Sequence, residues 1–107
     1  MTKFMARQGD VLIERVEKIP ASAKTTPRDN GRVILAYGEV TGHAHQIADP
    51  DAVGAALSVA ESATFLRLAK KAQLVHEEHG TIDLPAGSYE ITYQREFRYG
   101  DSIRVAD

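Results

Sequence analysis

The sequence predicts an all-β chain, either a small barrel or a compact two-sheet jelly roll. Three observations predict it: short runs rich in β-branched and aromatic residues, turn residues between those runs at close intervals, and little stretch of sequence with firm helical periodicity. A length of 107 residues suits one hydrophobic core, so residues 1–107 are read as a single domain.

The elements follow in order. "GDVLIERVEKI" is apolar and β-branched after a Gly-Asp turn signal, which predicts a strand over 10–17. "PASAKTTPRDNGR" carries two prolines and the turn residues Asp29, Asn30 and Gly31, and reads as a surface loop. From Gly31, "RVILAYGEVTGHAHQI" reads as one long strand or a pair. Taken two at a time, Val33, Leu35, Tyr37, Glu39, Thr41, His43, His45 and Ile47 share a face, provided no bulge intervenes at Gly38 or Gly42. "ADPDAVGAAL" reads as a loop with at most a helical turn. In "SATFLRLAKKAQLVHEEHG", Phe65, Leu68, Ala69, Ala72 and Val75 have helical spacing, but "TFLRLA" and "QLVHE" alternate around Lys70 and Lys71, which favours two short strands. After the turn "LPAG", the strand "GSYEITYQREF" puts Tyr89, Ile91, Tyr93, Arg95 and Phe97 on one face, and "GDSIRVAD" turns at Gly100-Asp101 into a last strand over 102–105.

Composition narrows the function classes. An apolar share of 43% with a charged share of 26% is that of a globular chain rather than a disordered tail or a membrane span. A net charge of −2 offers no basic excess for a nucleic-acid backbone and no polybasic run for an anionic membrane. No apolar window reaches transmembrane length and the start lacks a signal-peptide core, so a cytoplasmic location is expected. The chain has no cysteine, which excludes disulfides, thiolate ligands and a cysteine nucleophile. Any metal must be held by His, Asp or Glu.

All four histidines lie in two short motifs, "TGHAHQI" and "VHEEHG". A spacing of two directs His43 and His45 to one side of a strand, and imidazole with carboxylate suits a divalent transition metal, zinc foremost. His76 supplies a third donor. Glu78 joins it if residues 64–79 end in a strand, His79 if they are helical, so the expected ligands are His43, His45, His76 and one of Glu78 or His79. For one site, His76 must lie within about 5 Å of His43 or His45. An open coordination position would activate water for hydrolysis or lyase chemistry on a small molecule, with Glu77 or Glu78 as proton carrier.

A plainer reading is a solvated strand end whose glutamates neutralise neighbouring histidines. A rival from another class is a non-catalytic interaction domain, presenting strand edges or the "YQREFRY" face, with Arg95 and Arg98 among Tyr93, Phe97 and Tyr99, to a protein or a single-stranded nucleic acid. Alternating aromatic and charged residues are equally what an ordinary half-buried strand looks like. Assembly into a homo-oligomer is compatible with either reading. No nucleophile elbow or phosphate loop is present in the sequence.

Taken together, "RQGDVLIERV", "YGEVTGHAHQI", "VHEEHG", "LPAGSYEI" and "YQREF" resemble a small uncharacterised bacterial protein family marked by TGHAH and HEEHG motifs. That resemblance implies that the two histidine motifs belong together. More loosely, "GHAHQI" and "LPAGSYEI" are similar to the cupins, whose metal site takes two histidines from an HxH strand, then a glutamate, then a histidine beyond a PxG turn. Here no glutamate follows Ile47 at the cupin distance and no histidine follows Pro85-Ala86-Gly87.

Overall fold

Alternation of buried and exposed side chains, with tight turns between runs, builds the chain almost entirely from antiparallel strands. The computed structural model describes residues 4–38, 42–48, 52–93, 95–98 and 101–104, the last two segments by backbone alone. Its strands are β1 (Met5–Gln8), β2 (Val11–Val16), β3 (Lys24–Thr25), β4 (Ile34–Tyr37), β5 (Ala44–Ile47), β6 (Ala55–Ala60), β7 (Ala63–Leu68), β8 (Ala72–Val75), β9 (Ile82–Leu84), β10 (Gly87–Tyr93), β11 (Arg95–Arg98) and β12 (Asp101–Arg104). A six-stranded sheet runs β1-β2-β10-β7-β6-β3, a four-stranded sheet runs β4-β5-β8-β9, and β11 pairs with β12. The chain is therefore all-β, and of the two expected architectures it adopts the two-sheet form; the described strands close no barrel. No helix among the described residues is long and apolar enough to cross a membrane.

The period-two pattern dictates the core. Val11 and Ile13 of β2, Leu66 and Leu68 of β7 and Tyr89 and Ile91 of β10 turn inward from the large sheet, while Leu35, Ile47, Leu74 and Leu84 do so from the small one, and all pack as one cluster. Gln73, between buried Ala72 and Leu74, is exposed, as a strand with one wet face requires.

Several expectations are corrected. β1 lies within residues read as having no element: its sequence, MARQ, lacks the apolar alternation of a core strand, and cross-strand pairing from Met5↔Glu14 to Gln8↔Val11 holds it at the sheet edge. Residues 55–57, read with the rest of ADPDAVGAAL as loop, begin β6; pairing with β7 along its whole length, Ala55↔Leu68 to Ala60↔Ala63, holds this alanine-rich stretch as a strand despite its low propensity. The single face from Val33 to Ile47 does not form. β4 and β5 are antiparallel partners with a register shift between Ile34 and Ala36, and Tyr37 is exposed where Val33 and Leu35 are buried. Glu39 and Thr41 of that face lie outside the described residues. The break at Lys70 and Lys71 is as expected, with β7 ending at Leu68 and β8 starting at Ala72, and the helical alternative for this segment is excluded.

Within the 20–32 segment, Asp29 and Arg32 exchange backbone bonds of 3.0 and 2.9 Å around Asn30 and Gly31, whose φ values of 53° and 79° are those of a type I′ turn. Arg28 fastens this segment inward, donating to the carbonyls of Ala52 (2.8 Å) and Ala55 (2.6 Å). The β6–β7 turn places Glu61 at φ 55°, where a side chain is strained. Glu61→Gly is therefore expected to raise unfolding free energy by about 1 kcal/mol, read as a higher denaturant midpoint at unchanged slope.

Candidate metal centre

The small sheet brings the two histidine motifs together through its register. Gln46 of β5 pairs with Val75 of β8, and Ile47 with Leu74. Continuing that register by one residue sets His45 across from His76, just where β8 ends. Both are buried, His45 at 0% and His76 at 9% exposure, so each continues the inward row begun by Ile47 or Leu74. Gly42, at φ 90°, adopts a backbone conformation suited to glycine immediately before His43.

All four imidazoles share this place. The His45 and His76 ring centroids are 4.2 Å apart, His76 and His79 4.7 Å, His43 and His76 5.8 Å, and His45 and His79 5.8 Å. His76 touches each of the other three. One donor atom each from His43, His76 and Glu77 lie within 4.8 Å of one another, a group able to hold a metal ion after a modest closing of side chains.

The structure gives residues 77–79 neither the strand nor the helix on which the choice between Glu78 and His79 rested. Residues 77–79 form a bend after β8, so neither strand alternation nor helical spacing decides which side chain meets His76. The bend brings His79 against His76 and sets Glu77, expected only as a proton carrier, among the donors. Glu77 Oε1 accepts from Ala44 N at 2.9 Å, and this bond, with His43 and His76 nearby, holds its carboxyl below the usual carboxylate range. Glu78, exposed like Glu77, has Oε2 3.7 Å from His43 Nδ1. The Glu78 amide donates to His76 Nδ1 at 3.0 Å, which ties the bend to the ring and leaves the proton of the neutral ring on Nε2, so ligation by His76 requires this bond to open.

Among the described residues, His43 Nδ1 and His79 Nε2 are buried with no hydrogen-bond partner. Each such atom costs about 1–3 kcal/mol unless something else pairs with it, which is unusual for groups that are merely structural.

One residue of the site was missed in the sequence. Gln8, 2% exposed at the end of β1, lies with Oε1 2.8 Å from His45 Nδ1 and donates through Nε2 to the carbonyls of Leu74 (3.0 Å) and Gly80 (2.9 Å). Its sequence separation from both motifs leaves no local pattern by which to find it. The "YQREFRY" face falls mostly on side chains outside those described; Tyr93 itself is partly buried, its hydroxyl donating to the Leu35 carbonyl at 2.6 Å, which is a structural use.

Fold and site together define an antiparallel two-sheet protein with a histidine and glutamate cluster at one end of its smaller sheet. Residues 7–94 match a family model described as "Domain of unknown function (DUF8820)", and the chain belongs to that family. The matched span contains both histidine motifs. No curated protein and no solved structure shows significant similarity to the chain.

Proposed function

We propose that the chain binds one divalent transition-metal ion, zinc foremost, with donors drawn from His43, His45, His76, His79 and Glu77. The observation that carries this reading is the convergence of four imidazoles and a carboxylate from two distant segments, with the donor atoms of His43, His76 and Glu77 within 4.8 Å. Leaving His43 Nδ1 and His79 Nε2 buried without a hydrogen-bond partner weakens a fold unless a ligand satisfies them, and a metal does so. Glu78, beside His43 and open to solvent, is suited to take a proton from a metal-bound water, which supports hydrolysis or lyase chemistry as the extension of this reading.

The test is metal content measured on protein purified without a histidine tag, followed by zinc titration of the stripped protein. About one ion per chain is expected. Zinc binding that is absent or substoichiometric removes the reading and leaves a buried histidine cluster that holds no ion.

Acid should release the ion. Imidazole binds metal only when deprotonated, so zinc affinity should fall steeply as pH drops through roughly 6. Glu77, with its lowered pKa, stays ionised through that window and loses its charge only at lower pH, so the histidines set the midpoint. A flat profile from neutral to mildly acid pH would point to carboxylates alone.

A further inference from the structure

We infer that Gln8 is a positioning residue that fixes His45 in one tautomer and so selects Nε2 as its coordinating nitrogen. The inference rests on the metal reading above and adds to it how one ligand is oriented.

The argument is a chain of donors and acceptors. The carbonyls of Leu74 and Gly80 can only accept, so the Gln8 nitrogen, not its oxygen, must face them, at 3.0 and 2.9 Å. That fixes the amide orientation. Gln8 Oε1 is then the atom left facing His45 Nδ1 at 2.8 Å, and a carbonyl oxygen can only accept. His45 must therefore carry its proton on Nδ1, and in the neutral ring the lone pair is on Nε2. The opposite tautomer would set an amide oxygen against a bare ring nitrogen in a place with no exposure at either residue beyond 2%.

The anchors lie at meaningful places. Leu74 is in β8 two residues before His76, and Gly80 directly follows His79, so a single carboxamide grips both ends of the HEEH segment while holding His45 from the opposite strand. A ligand imidazole whose second nitrogen donates to a fixed acceptor is both oriented and made more basic. Gln8 acts through His45 and the bend, with no need to touch the ion.

The experiment uses the full chain stripped of metal and labelled with ¹⁵N at histidine. A long-range ¹H–¹⁵N correlation spectrum above the range of imidazole titration is expected to show His45 protonated at Nδ1 and bare at Nε2. The reverse pattern in the unmodified protein overturns the inference without any variant. Gln8→Met, similar in size but unable to accept this bond, should release His45 into a mixture of tautomers and weaken zinc binding by about 10–100-fold. Gln8→Glu, which keeps an acceptor toward His45, should retain the Nδ1–H form. A folded Gln8→Met variant with unchanged tautomer and unchanged zinc affinity also overturns the inference. If the unmodified protein shows the expected tautomer but binds no zinc, the metal reading fails, and with it the role of Nε2 as a ligand, while Gln8 still stands as the determinant of the His45 tautomer.

Discussion

His76→Ala is expected to weaken zinc binding by at least about 100-fold. Apparent zinc-site free energies of about 10–16 kcal/mol shared among four ligands give roughly 3 kcal/mol per ligand, which is a factor of about 100 in affinity. His76 is the ring in contact with all three other imidazoles, so its removal also disorganises the donors that remain. The fold should survive, with a stability loss of about 1 kcal/mol as the Glu78 amide loses its acceptor. His43→Ala and His45→Ala belong in the same series. Full zinc occupancy in both of those variants, by titration at neutral pH, would show that the HxH pair holds no ion.

Tyr89→Ala is expected to cost about 3–5 kcal/mol of unfolding free energy. Tyr89 is fully buried at the middle of the large sheet, with Phe4 edge-on at 5.8 Å and its hydroxyl donating to the Pro85 carbonyl. Burial holds the phenol above its ordinary pKa, so it remains a neutral donor at any pH where the fold is studied. Tyr89→Phe separates the two contributions: it keeps the ring and loses only the hydrogen bond, for about 1 kcal/mol. Urea unfolding of both variants measures the difference. Equal losses in the two would mean that the hydroxyl bond, rather than the packed ring, carries the stabilisation.

The sequence was most legible where apolar alternation was strong. β2, β7, β8 and β10 carry Val11, Ile13, Leu66, Leu74, Tyr89 and Ile91 at a period of two; β2, β7 and β8 formed near their expected bounds, whereas the strand expected over 87–97 is divided into β10, ending at Tyr93, and β11, which starts at Arg95 and pairs with β12. β1 and β6 were hidden because MARQ and AALSVA have weak intrinsic preference and are held by partners distant in sequence. At the site, the HxH spacing reads directly as two donors on one side. The bend at 77–79 does not, because its shape depends on how β8 ends against β5 and on the grip of Gln8 on Gly80. Glu77 and Glu78 differ by one position in sequence, and only the path of the bend decides which of them joins His43 and His76.

The hairpin formed by β6 and β7 separates the two halves of the small sheet along the chain, because the chain leaves that sheet after β5, enters the large one, and returns only at β8. An ion shared by His43 and His76 is therefore a crosslink closing a loop of roughly thirty residues, whose loss of freedom in the unfolded chain corresponds to about 3–4 kcal/mol in the disulfide treatment of loop closure. In a chain with no cysteine, such a bridge would do the work of a covalent staple, but one that chelators and mild acid undo without any change of redox state.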